Sequence, residues 1–146
     1  MATHGPQPVV VVGTDGSPGS VEALRWALRQ AKATGAEVRV VLAWEVATSL
    51  GNLSEMADAD WADIARAAVD EAVAAEADVS VPISTKVVIG HPSNVLVEVS
   101  KDADLLVVGC RGHGRVLGMV LGSVSNHCTH HAHCPVVVVP SPAQGA

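Results

Sequence analysis

A chain of 146 residues is long enough for one domain with its own core. It is 49% hydrophobic but has no Phe and no Tyr, so that core must be made of Val, Leu, Ile and Ala around three Trp. A formal net charge of −6 and the lack of stacking platforms exclude broad nucleic-acid binding; three cysteines give no disulfide framework, and no apolar run approaches the roughly 20 residues of a membrane helix.

In chain order, Met1 to Gln7 carries Gly and Pro and is expected to fray, as are residues 141–146. The opening residues have neither a basic n-region nor an apolar h-region, so no secretory signal is read there and a cytoplasmic location is expected. Val9 to Val12 is an uninterrupted β-branched run, the pattern of a strand buried on both faces. Asp15-Gly16-Ser17-Pro18 is a turn feeding a helix, with Ser17 as N-cap and Pro18 in the first helical position. Val21, Leu24, Leu28 and Ala31 form one helical stripe; Trp26 lies off it, and Gly35 stops the helix. A second strand runs from Glu37 to Trp44, and Ala47 to Asn52 is a loop.

A long helix is predicted over about Ser54 to Glu76, its inner face Ala57, Trp61, Ile64, Ala65, Ala68 and Ala72, its solvated face Asp63, Arg66, Asp70 and Glu71. Ile83 to Ile89 is the third strand, Pro92-Ser93 opens a short helix through Lys101, and Leu105 to Val108 is the fourth strand. A helix from Ser123 to His131 and a strand Val136 to Val139 complete the chain. Strands alternating with helices mean a parallel sheet with crossover helices, a single doubly wound α/β domain over residues 1–146 with neither linker nor repeat.

Between the fourth strand and the last helix lie five glycines in the fifteen residues from Gly109 to Ser123. That density fits a loop whose backbone bends freely and approaches a ligand closely. Ser123 is a good helix N-cap, and free N–H groups followed by a helix N-terminus favour a phosphate. The charges agree: after Asp104 there is no Asp or Glu, only Arg111, Arg115 and five histidines. The loop lacks the Lys of a Walker A motif, and Gly112, Gly114 and Gly118 have the wrong spacing for a dinucleotide fingerprint.

The spacing Gly109-x2-Gly112-x9-Gly122-Ser123 resembles the ATP-binding signature of the universal stress protein family. Val9 to Ser17, Val87 to Pro92, Asp104 to Gly109 and His133 to Val139 resemble that family's strands and turns in the same order, so the resemblance covers nearly the whole chain. It implies five parallel strands in the order 3-2-1-4-5, with Asp15 and Gly109 meeting where the order reverses, the place where open sheets bind ligands. It implies ATP with Mg²⁺ or Mn²⁺. Gly112, His113, Gly114, Gly122, Ser123, Val124 and Ser125 would cradle the phosphates, with Arg111, His113 or Arg115 reaching one. Asp15 and Gly109 would hold ribose, and Asp15 would help hold the metal through the phosphates. The Trp44 backbone and Val88 would flank adenine. It also implies a stress-response regulatory role and a homodimer through the edge strand Val136–Val139.

Alternatives remain at this stage. Asp15 could simply turn the chain into the helix, and Ser123 and Ser125 could be capping groups. The ligand could be cyclic AMP or another adenine nucleotide. Slow ATP hydrolysis or self-phosphorylation is a further alternative, but no Lys clamp and no base beyond Asp15 argue against efficient phosphoryl transfer. No Ser/His/Asp arrangement is recognisable. Cys128, His130, His131, His133 and Cys134 contain no C-x2-C pair; His127 and His131 share a helix face, as do His130 and Cys134, but two ligands on one face do not close a structural zinc site.

Overall fold

The computed structural model describes residues 7–15, 18–44, 58–75, 80–110 and 122–140. Strand β1 (Val9–Gly13) leads into α1 (Pro18–Thr34), β2 (Glu37–Trp44), α2 (Asp58–Ala75) and β3 (Ile83–Ile89). Then come α3 (Pro92–Val99), a 3₁₀ turn (Ser100–Asp102), β4 (Leu105–Gly109), α4 (Ser123–His131) and β5 (Val136–Val139). The strands form one sheet in the order β3-β2-β1-β4-β5, and every pairing is parallel. This is the doubly wound architecture expected from the sequence.

The valine runs are sorted by the strand's period of two. Val10, Val12, Val38, Val40 and Val107 point to one face, where they pack with Leu24, Leu28 and Ala31 of α1 and Ala72 of α2. Val9, Val11, Val41, Leu106 and Val108 point to the other, against Val95 and Leu96 of α3 and Cys128 of α4. Register links the central strands, with Val10 opposite Leu105 and Val12 opposite Val107. At the amino ends, Asp104 ties β1 to β4: its carboxylate accepts from the Val9 N–H at 2.8 Å, and its own N–H donates to the Val9 carbonyl at 2.9 Å. The last acidic residue of the chain is therefore structural.

The helix stripe in α1 is wider than the expected four positions, because Ala23 and Ala27 are also fully buried. Trp26 is partly buried against the same core. In α2, Asp63, Arg66, Asp70 and Glu71 are exposed and Ala72 is buried, as expected, and Val69 adds a half-buried contact. Ser17, Ala57, residues 54–56 and Glu76 lie outside the described residues, as do the side chains of Trp61, Ile64, Ala65 and Ala68. Gly35, at φ 76°, takes the left-handed conformation that ends α1.

One cap was not foreseen in the sequence, and another differs from expectation. Helix α3 is capped by His91, whose Nδ1 accepts from the Ser93 N–H at 3.2 Å. Helix α4 is capped by Gly122, with extended backbone and no side-chain cap, so Ser123 is its first residue and not its N-cap. The reason is local. The Gly122 carbonyl already accepts the first helical bond from Asn126 N–H at 2.9 Å, which puts Ser123 inside the helix.

Candidate functional site

Parallel strands put all their carboxyl ends on one side. Because the order reverses between β1 and β4, their outgoing connections diverge to opposite faces and leave a crevice. A crevice open to solvent at its mouth lies there. Its lining combines the end of β1 (Gly13, Thr14, Asp15), the end of β4 (Val108, Gly109), β2 (Val41, Ala43), α1 (Ser20), α3 (Pro92, Leu96) and α4 (Val124). Most of this wall is apolar, with a few polar groups gathered at the β1 end, the arrangement that binds a flat apolar ring and orients it.

Asp15 is exposed at the mouth. The turn that holds it is anchored on both sides. The Thr14 N–H donates to the Val41 carbonyl at 3.0 Å, continuing the sheet one residue past β1. The Thr14 hydroxyl donates to Ser20 Oγ at 2.9 Å, and both residues are buried. This pair fixes the path from strand to helix below Asp15, and the sequence reading missed it. Ser20 falls in the first turn of α1, where a hydroxyl reads as ordinary helix composition.

On the opposite wall, Gly109 is packed against the first turn of α1. A Cβ at this position would lie 3.1 Å from the Gly19 carbonyl oxygen, closer than ordinary contact and against backbone that cannot rotate away. The exit of β4 is held by Cys110, whose N–H donates to the Val139 carbonyl at 2.9 Å. The return from the glycine-rich stretch is pinned to the same residue. Gly122 N–H donates to the Cys110 carbonyl at 2.7 Å, and Ser125 Oγ lies 2.8 Å from that carbonyl and 3.1 Å from the Gly122 carbonyl. The start of α4 is thereby clamped beside the end of β4, and its Val124 lines the crevice.

The structure thus brings together Asp15, Gly109 and Val124 in the wall of one crevice; Gly122 and Ser123 precede Val124 in the chain but are not part of that wall, and Ser123 is exposed. Ser125 is buried, and its hydroxyl is engaged with backbone carbonyls. Val88 is half-buried in β3, packed in the second core, and Trp44 ends β2 opposite Ile89. Arg111, Gly112, His113, Gly114 and Arg115 lie outside the described residues. From Leu105 onward the chain has no Asp or Glu, so no acidic side chain on β4, α4 or β5 repels an anion at this rim.

An open, doubly wound α/β fold with a crevice at its switch point is the architecture in which ligands sit outside the carboxyl ends of the strands. Residues 8–140 match the model of the universal stress protein family, and the chain belongs to that family. It is 38% identical over 138 residues to a universal stress protein of Mycobacterium tuberculosis, an alignment covering 89% of this chain and 46% of that protein. The chain therefore spans about half the length of that relative. It is 34% identical over 142 residues to one from Methanocaldococcus jannaschii, covering 91% and 82% of the two chains. Among solved structures, a universal stress protein in complex with cAMP superposes with a TM-score of 0.71 at 34% identity, covering 93% of this chain and 98% of the other. One from Lactobacillus plantarum superposes at 0.76 with 23% identity, covering 93% and 99%, and shares the fold. Among the described residues no helix is long and apolar enough to cross a membrane.

Proposed function

We propose that this chain binds an adenine nucleotide in the β1–β4 crevice and acts as a nucleotide-dependent regulatory module in a stress response. The observation that carries this reading is the crevice itself: an apolar slot with one carboxylate at its mouth and an acid-free helix start at its rim. Support comes from the 34% identical universal stress protein whose structure holds cAMP. Cyclic AMP is the ligand favoured first. Its base suits the wall of Val41, Ala43 and Leu96. Asp15 would accept from the single free ribose hydroxyl, and the rim would take the one phosphate.

A second reading, ATP with Mg²⁺ or Mn²⁺, rests on the Gly109-x2-Gly112-x9-Gly122-Ser123 spacing, which suits a longer phosphate chain. Asp15, among the described residues the one carboxylate lining the crevice, fits a hard cation held mainly by phosphate oxygens and water. With no second acid or Lys in the crevice wall among the described residues, turnover would fall far below the ~1–100 s⁻¹ of kinases. A cytoplasmic homodimer through β5 belongs to the same reading. It is supported by the position of β5 at the sheet edge, which leaves a row of backbone groups to be covered.

Titration calorimetry with cAMP, AMP and ATP plus Mg²⁺, on protein shown by native mass spectrometry to be free of nucleotide, tests the proposal. Saturable binding of cAMP at one per chain is expected. Asp15→Ala should weaken it by about 10- to 100-fold, the loss of a hydrogen bond to a charged group. Binding of ATP alone would move the assignment to the second reading, and no saturable binding at millimolar nucleotide would overturn both.

A further inference from the structure

The carboxyl end of α4 carries chemistry that a nucleotide crevice does not use. In an α-helix, residues i and i+4 lie one above the other on the same face. His127 and His131 hold that relation, and their ring centroids are 4.4 Å apart with the planes tilted by 36°. His131 is exposed and His127 half-exposed, so the pair faces solvent. Cys128, between them in sequence, turns to one side of the pair and is buried in the core.

We propose that His127 and His131 form a two-imidazole chelating site for a borderline transition-metal cation of the Zn²⁺, Ni²⁺ and Cu²⁺ class. Two imidazoles four residues apart on one helix face are the donor pair by which helical metalloprotease motifs grip zinc, and imidazole nitrogen suits these metals in particular. Both rings already stand together on a formed helix, so chelation requires only rotation about side-chain bonds. The site sits in the last turns of α4, where the negative end of the helix dipole favours a cation. The absence of any Asp or Glu after Asp104 means that neither imidazole is tied up by an acidic side chain within its own segment.

His130 stands beside the pair but outside it. Its ring lies 6.3 Å from that of His131, and its Nδ1 is 2.9 Å from the Asn126 carbonyl. Among the described residues no three His, Cys, Asp or Glu side chains converge on one point. The site therefore supplies two donors and leaves the remaining positions to water or an incoming ligand. That makes it an open, exchangeable site, unlike the closed four-ligand sites that hold structural zinc.

The test is calorimetric titration of the tag-free chain with NiCl₂, which binds imidazole without oxidising thiols. One Ni²⁺ per chain is expected. His127→Ala and His131→Ala should each weaken binding by about tenfold or more, because losing either donor removes the chelate advantage. His127→Gln, which keeps most of the side-chain volume, should behave like His127→Ala. His91→Ala, His130→Ala and His133→Ala should retain the wild-type affinity. Far-UV circular dichroism confirms that each variant is folded. Wild-type affinity in either single variant, or an equal loss in any of the three controls, would overturn the assignment.

Discussion

The two faces of the sheet differ in how completely they are closed. On one, two long helices of 17 and 18 residues, α1 and α2, cover Val10, Val12, Val38, Val40 and Val107. On the other, α3 and α4 have 8 and 9 residues and leave the β1–β4 crevice between them. The strands supply valines to both faces in equal measure, so the difference comes from the helices. A long amphipathic helix seals a sheet; two short ones, meeting at their amino ends, leave a gap lined by helix starts. The first face is the scaffold, and the second is where the proposed nucleotide would enter.

Truncation on the closed face should have the largest effect on folding. Leu24 is 1% exposed, and Leu24→Ala should cost about 2–5 kcal/mol in urea unfolding, because a dry, well-packed site cannot collapse fully. Affinity for nucleotide, measured on the folded fraction, should be unchanged. Leu96→Ala on the open face should cost less, since solvent already reaches the crevice that Leu96 lines, and should weaken nucleotide binding. If Leu24→Ala weakens binding as much as Leu96→Ala, the two faces are not separable.

The open face should also be the alkali-sensitive one. Burial, with a smaller contribution from Cys134, raises the Cys128 thiol from 9.0 to about 11. Burial and the nearby Asp104 carboxylate raise Cys134 as well. The folded protein holds the Cys128 proton more tightly than the unfolded chain does. Its stabilisation is therefore complete below pH 9 and fades as pH rises from 9 toward 11, by about 2–3 kcal/mol in all. In buffer containing a chelator, Cys128→Ala should flatten that decline relative to wild type; an unchanged pH profile in the variant would place the sensitivity elsewhere.

A smaller effect is expected where the short helices are tied to β5. Ser100 is fully buried; its hydroxyl donates to the Val97 carbonyl at 2.6 Å and accepts from the His133 N–H at 2.9 Å. Ser100→Ala leaves a backbone N–H without this acceptor and should cost about 1–3 kcal/mol in thermal or urea unfolding. Nucleotide affinity should be unchanged, because the bond lies at the far end of the sheet from the crevice. A loss of affinity would show that the amino ends of the strands control the crevice after all.

Much of this was legible in the chain. The apolar, valine-rich runs at 9–12, 105–108 and 136–139, separated by segments of helical period, point to parallel strands and crossover helices, because strands apolar on both faces are buried by helices packed on each side of the sheet. The signal at Asp15 and Gly109 was legible because a turn after a buried strand and a glycine-rich stretch before a helix are local patterns. What the sequence could not show is pairing across distance. Thr14 and Ser20 are unremarkable in a turn and a helix, and only their 2.9 Å contact makes them one support. Ser123 reads as a cap because Ser caps well in general, yet the Gly122 carbonyl starts the helix one residue earlier. His91 caps α3 although it is not a residue usually read as a cap. Composition and periodicity decided which segments fold into strands and helices. The tertiary structure alone decided which hydroxyl, carbonyl and imidazole groups meet, because those distances depend on how the helices settle on the sheet.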